Sequence, residues 1–269
     1  MVSDPSTPNV TVRFWAGAQR AAGRDTEQLA AATIGQLRSV LAARPELRQV
    51  SAVASFLVDG RQAGDTTRLT DGAEVDVLPP FAGGSAPLIV GIGGSTRPGS
   101  FTNVLLAQCL AETEALGART HSVIGPALAG LPMYGDDLDP ADSAELIDAV
   151  RAADCVVIGT PGYHGGMSGL VKNALDHLEL LRDDPRPYLD GKAVGIIVTA
   201  SGWQACGTTL TSVRSAVHAL RGWPTPFGVT VNSAEQKAGD DQVVGSLAIL
   251  AGQLVEFASW RRSVSASAR

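Results

Sequence analysis

Two rhythms of apolar and polar positions divide the chain. In the N-terminal third the apolar positions alternate. Residues 10–15 (Val-Thr-Val-Arg-Phe-Trp) carry apolar and polar side chains in turn and are rich in β-branched types, as in a strand with one buried face. Residues 26–31 are predicted as its hairpin partner. Thr33 is placed to cap a helix running to about Ala43, with Ile34, Leu37, Val40 and Leu41 on one face. Residues 52–58 and 74–78 read as further strands, the first closed by the turn pair Asp59-Gly60. After residue 87 the strands become continuously apolar, at 88–92, 118–124, 154–159, 193–199 and 226–231. Helical patterns separate them at 102–116, 141–152, 165–181 and 208–220, and a long helix at 240–261 closes the chain. The tail after Trp260 is rich in Ser, Ala and Arg and reads as frayed.

Strands apolar on both faces, alternating with amphipathic helices, predict a parallel sheet covered on both sides. The expected fold is α/β, a flavodoxin-like doubly wound five-stranded parallel sheet in the order 2-1-3-4-5. A small α+β domain of the ubiquitin-like (β-grasp) kind precedes it. The boundary falls at Gly83-Gly84-Ser85-Ala86-Pro87, a linker by composition, giving expected domains at 9–84 and 87–262.

Composition narrows the class. The 269 residues are 45% hydrophobic with net charge −6, and the charges are interspersed, which argues against a nucleic-acid partner. No apolar run approaches the roughly 20 residues that span a bilayer, and the first residues lack a secretory pattern. Cys109, Cys155 and Cys206 form no CxxC pair, so neither a disulfide framework nor a metal site is expected. The expectation is a cytoplasmic protein with reduced thiols.

The chemistry is concentrated in three loops that follow strands. Ser95, Ser100 and Thr102 supply hydroxyls and Arg97 a fixed cation where the first strand of the second domain gives way to a helix, whose N-terminus favours a phosphate. The stretch lacks the third Gly of a dinucleotide fingerprint and the Gly-Lys of a P-loop. Pro161, Gly162, Tyr163, His164 and Gly165 form a second loop in which main chain can lie against a planar ring. Ser201 and Gly202 begin a third loop on the same sheet edge; Trp203 beside them could stack on a ring or be buried between subunits. Asp176, His177 and Glu179, at helical spacing, fit a charged surface or subunit contact better than acid–base work, and Cys206 fits packing.

Residues 88–232 resemble the NADPH-dependent FMN reductase family. The resemblance rests on Gly94, Ser95, Arg97, Ser100 and Asn103; on residues 131–137 (Leu-Pro-Met-Tyr-Gly-Asp-Asp); on residues 160–165 (Thr-Pro-Gly-Tyr-His-Gly); and on residues 170–176 (Leu-Val-Lys-Asn-Ala-Leu-Asp). It implies FMN as cofactor, with NADPH or NADH as hydride donor and a small-molecule electron acceptor such as free flavin, a quinone or an azo compound. It implies that Ser95, Arg97, Ser100, Thr102 and Asn103 hold the phosphate, and that Pro161, Gly162, Tyr163, His164 and Gly165 hold the ring. No acid or base is assigned. A homodimer or homotetramer formed through the helix near residues 170–180 is implied as well. Two departures stand out: Gly162 replaces the family's acidic residue and His164 its Asn.

Residues 9–84 resemble the small subunit of molybdopterin synthase and the thiamine sulfur carriers, most clearly at residues 69–84, which end in Gly83-Gly84, and at residues 56–60. Such carriers end in Gly-Gly, whose terminal carboxylate an ATP-dependent partner activates. Here Gly84 is joined to Ser85, so its carboxyl is an amide. Either a protease frees the carrier after Gly84, or the domain serves docking or oligomerisation. A flavin- or partner-binding protein without redox activity is the remaining alternative.

Overall fold

A computed structural model describes residues 7–78, 86–97 and 99–267. The chain forms two compact units, one made of Met1–Ala86 with Glu114–Gly117, the other of Pro87–Thr113 and Ala118–Arg269. The prolines, Gly83 and Gly84 at the end of the sulfur-carrier-like segment, and Pro98, lie outside the described residues.

The first unit runs β1 (Asn9–Phe14), α1 (Ala16–Ala22), β2 (Thr26–Ala30), α2 (Ile34–Ala42), α3 (Arg48–Val53), β3 (Ser55–Val58), β4 (Arg61–Ala63) and β5 (Glu74–Leu78). The mixed sheet has the order β2-β1-β5-β3-β4, with β1 and β5 parallel and the other pairs antiparallel. Alternation turns Val10, Val12, Phe14, Phe56, Val75 and Val77 inward, and α2 buries Ile34, Leu37 and Leu41. Thr33 caps α2, its hydroxyl accepting from the Gln36 N–H at 3.2 Å. Two predicted features differ. α1 intervenes between β1 and β2, so no tight hairpin joins them. Residues 52 and 53 finish α3, closed by the Ala54 N–H donating to Val50 at 2.9 Å, so β3 starts later than the apolar run does. Asp59 (φ 48°) and Gly60 (φ 77°) make the β3–β4 turn.

The second unit runs β6 (Leu88–Gly93), α4 (Phe101–Ala115), β7 (Arg119–Ile124), α5 (Pro126–Ala129), α6 (Ala144–Ala152), β8 (Cys155–Tyr163), β9 (Gly166–Met167), α7 (Gly169–His177), β10 (Ala193–Ala200), α8 (Trp203–Ala219), β11 (Trp223–Pro224), β12 (Val229–Asn232) and α9 (Asp241–Ser267). The parallel order is β7-β6-β8-β10, and β11 and β12 both lie parallel to β10 as two pieces of one edge strand. Counted in chain order these are strands 2-1-3-4-5, the doubly wound arrangement expected. β10 is buried along its whole length, which is why its sequence is apolar but for Thr199.

α9 corrects one expectation. Its residues Asp241–Arg262 are long and apolar enough to cross a membrane by length and composition. In the fold the helix buries Val243, Leu247, Leu250, Leu254 and Val255, and a side chain at Gly195 of β10 would meet Leu250 at 3.1 Å. The helix therefore covers the sheet. It continues to Ser267, beyond the predicted frayed end.

Candidate functional site

The strand order reverses between β6 and β8, so the chain leaves these neighbours toward opposite faces and opens a crevice at their carboxyl ends. Three loops wall it. The first follows β6. The Gly94 N–H donates to the Gly159 carbonyl at 2.8 Å, and a Cβ on Gly94 would run into Val171 and come within 2.9 Å of Ser168 Oγ, so only glycine lets the loop pass. Ser100 is the N-cap of α4, its hydroxyl accepting from the Asn103 N–H at 3.2 Å. Ser95, Arg97, Ser100 and Thr102 all reach the cavity wall. Arg97 is exposed and makes no ion pair with the described residues. The Thr102 hydroxyl hydrogen-bonds the Thr199 hydroxyl at 2.5 Å.

Asn103, expected at the phosphate, is not among the described residues lining the cavity. Its Nδ2 donates to the Ser95 carbonyl at 3.0 Å, and its Oδ1 is buried without a partner among the described residues.

The second loop follows β8. The pattern predicted a helix from residue 165, but β8 first turns back on β9, pairing Gly162 with Met167 and Tyr163 with Gly166. His164 (φ 51°) and Gly165 (φ 81°) are the two turn residues, both left-handed as a type I′ hairpin demands. Pro161, Gly162, Tyr163, His164 and Gly165 all line the cavity. A Cβ on Gly162 would sit 2.8 Å from Thr209 Oγ1, so the family's acidic residue has no room here. Ser168 ties the two loops together. Its hydroxyl donates to the Gly94 carbonyl at 3.1 Å and accepts from the Val171 N–H at 3.2 Å, while its N–H donates to Thr160 Oγ1 at 3.0 Å.

The third loop follows β10. Ser201 and Gly202 line the cavity, with Gln204, Ala205 and Thr208 from the first turns of α8 behind them. Trp203 turns away: its indole N–H donates to Glu235 at 3.0 Å, and it does not line the cavity. Cys206 is buried, and burial pushes its thiol up, which suits packing.

His177 is the second correction. It is fully buried on α7, not part of a charged surface. Its Nε2 lies 2.9 Å from the Pro132 carbonyl, which also accepts from Asn173 Nδ2 at 2.9 Å, so both hold residues 132–134 against α7. Asp176 faces outward in an ion pair with Lys172 at 2.6 Å.

The resulting cavity measures about 1210 Å³. No Asp or Glu is among its described lining residues, and Arg97 is its one permanent cation. Of the wall residues missed in the sequence, Ser168 has the clearest signal, standing as a helix cap directly after the second loop. Ser233 has none, because only the pairing of β12 with β10 brings it near Ser201.

A family model described as NADPH-dependent FMN reductase matches residues 87–236. The chain is 32% identical over 187 residues to a quinone reductase of Escherichia coli (strain K12), covering 65% of this chain and 96% of that protein. The chain belongs to the NADPH-dependent FMN reductase family. It is 31% identical over 156 residues to an FMN-dependent NADPH-azoreductase of Staphylococcus haemolyticus (strain JCSC1435), covering 56% of this chain and 79% of that one. A solved NADH:FMN oxidoreductase in its apo form superposes with TM-score 0.51 at 25% identity, over 63% of this chain and 89% of that one. The flavoenzyme NAD(P)H:(acceptor) oxidoreductase of Paracoccus denitrificans, at TM-score 0.53 and 21% identity over 66% and 98% of the two chains, shares the fold. In the first unit a ThiS family model matches residues 12–84, in keeping with a sulfur-carrier-like domain.

As a family member the chain is an NAD(P)H-dependent FMN oxidoreductase. The donor set fits FMN. A helix N-terminus, hydroxyls and one arginine gather at the first loop, where a phosphate belongs, and the wall offers no carboxylate to repel it. The main chain of Pro161 and Gly162, stripped of bulk, leaves a flat side for a ring. A volume at the upper end of ligand pockets leaves room for a second reactant beside the first.

Proposed function

We propose that this enzyme passes two electrons from NADPH or NADH to a quinone, an azo compound or free flavin, and that Ser95, Arg97, Ser100, Thr102, Pro161, Gly162, Tyr163, His164, Gly165, Ser201 and Gly202 hold the cofactor. Bound FMN would supply the two-electron chemistry that links nicotinamide and acceptor. The protein's part is to bind and orient. Arg97 and the α4 N-terminus anchor the phosphate, Asn103 and Ser168 keep the first loop in shape behind it, and the His164-Gly165 turn bounds the ring. The observation that carries this reading is the carboxylate-free crevice walled by three strand-end loops at the point of strand reversal. Homodimers or homotetramers built on α7 belong to the same reading. Purified protein reconstituted with FMN should be yellow and should oxidise NADPH or NADH in the presence of a quinone. A colourless protein after reconstitution, or one that leaves both nicotinamides oxidised only at the background rate, overturns it.

The ThiS match over residues 12–84 supports a second role for the first unit. We propose that cleavage after Gly84 releases a carrier whose new carboxylate an ATP-dependent enzyme activates for sulfur transfer. Intact-mass analysis of protein from its native host should then show a fragment ending at Gly84; uncut chain alone counts against it.

A further inference from the structure

The β8–β9 turn needs left-handed conformations at both central positions, which Asn and Gly commonly supply. Histidine is one of the few other residue types that enter this region more readily, and His164 does so at φ 51°. Its side chain is exposed on the wall of the cavity. The other titratable or charged groups on that wall are Arg97 and Tyr163. α8, packed against the turn through Thr208, presents only Gln204, Ala205 and Thr208, and the start of α7 presents Ser168, Gly169 and Leu170. A guanidinium does not release its proton in proteins, and a phenol releases one poorly near neutral pH. Among the described wall residues, imidazole is the side chain whose chemistry suits passing a proton near neutral pH.

We propose that His164 is the proton donor to the acceptor. The proposal rests on the reductase reading above. For a quinone the overall change is NAD(P)H + H⁺ + quinone → NAD(P)⁺ + hydroquinone. The nicotinamide is oxidised and the quinone reduced by two electrons arriving with one hydrogen. The second hydrogen comes as a proton: an imidazolium N–H bond breaks, an O–H bond forms on the quinone oxygen, and the neutral imidazole is recharged from water.

The test compares two acceptors on FMN-loaded protein, with NADPH as donor. Ferricyanide takes single electrons and no proton, whereas duroquinone needs both. His164→Asn keeps a residue suited to the turn, and His164→Gly is the second turn-compatible variant. Both variants should lose at least about tenfold more duroquinone turnover than ferricyanide turnover. A readout without turnover is the imidazole ring resonance of His164, identified by its loss in His164→Asn, which should shift when durohydroquinone is added to the oxidised holoenzyme. Equal losses with both acceptors, as a changed flavin potential or weakened flavin binding would produce, overturn the proposal. A wild type that binds FMN and reduces ferricyanide while failing these comparisons overturns the role of His164 alone. A wild type that binds no FMN removes the reductase reading, and this proposal falls with it.

Discussion

At the scale of single residues, the proposed phosphate site sets a charge at the cavity wall and an amide beside it. Arg97 stands exposed on that wall and pairs with no described carboxylate, so its fixed charge is available to a dianion. A charge-assisted hydrogen bond contributes about 1.5–3 kcal/mol. Arg97→Ala should therefore weaken FMN binding by roughly ten- to a hundredfold, and Arg97→Lys should restore only part of it, since a lysine loses the planar fork. Titration of flavin fluorescence quenching measures both, and an unchanged dissociation constant in Arg97→Ala would remove the arginine from the site. That Ser95, Arg97, Ser100 and Thr102 share one cavity wall was legible in the sequence, because they crowd the turn between an apolar strand and a helix. The place of Asn103 was not: it stands three residues past the α4 cap, and only the folded backbone shows that its amide meets the Ser95 carbonyl. The Gly162 departure also became intelligible only in three dimensions, from its closeness to Thr209.

At the scale of elements, Ser168 joins three of them. One hydroxyl caps α7 and holds the Gly94 carbonyl, and the same residue's N–H reaches Thr160 on β8. Its loss removes a cap, about 1 kcal/mol, and strands a buried carbonyl, about 1–3 kcal/mol more. Ser168→Ala should thus lower the urea midpoint by the equivalent of roughly 2–4 kcal/mol and weaken FMN binding as the first loop loosens. Urea titration monitored by circular dichroism, with FMN binding measured alongside, checks both; a variant that is destabilised yet binds FMN as the wild type does would show the serine to be a cap alone. The central parallel strands β6, β8 and β10 were readable because burial on both faces leaves a nearly continuous apolar run. The β8–β9 hairpin was not, because its strand β9 is only two residues long and the Gly-rich stretch that follows leads straight into α7. α1 and α3 were missed for a similar reason: short helices carry too few periodic positions to stand out from the strands beside them.

At the scale of the whole molecule, each unit carries its own response to pH, set by buried groups that composition does not reveal. In the first unit, burial raises the Asp76 carboxyl, but hydrogen bonds from Arg13 at 2.8 Å and Trp15 at 2.9 Å outweigh it and hold it below the usual carboxylate range. The Arg44 hydrogen bond does the same for Glu27. These groups stabilise the unit above the ordinary carboxylate range, and that contribution is lost as pH falls. In the second unit Lys192 is buried beneath the end of α6, where its ammonium donates to the Ala153 carbonyl at 2.6 Å, and burial lowers its pKa from 10.5 to about 8. Between those values the unfolded chain binds the proton that the folded chain has released, so stability rises with pH there. Burial pushes the thiols of Cys109 and Cys155 the other way, from 9.0 up to about 12, so above 9.0 the folded chain holds two protons that the unfolded chain gives up, and stability falls. One amine acting alone, then two thiols against it, place the maximum of these three contributions near pH 9. Chemical denaturation followed by circular dichroism from about pH 7 to pH 11 should show a rise and then a decline. In Lys192→Met the rise should disappear, a loss on the order of 1 kcal/mol up to the maximum. In the double variant Cys109→Ala, Cys155→Ala the decline should flatten while the rise stays. A wild-type profile without a rise, or a decline of the same steepness in the thiol-free variant, would mean that these three groups do not govern the alkaline stability of the α/β unit.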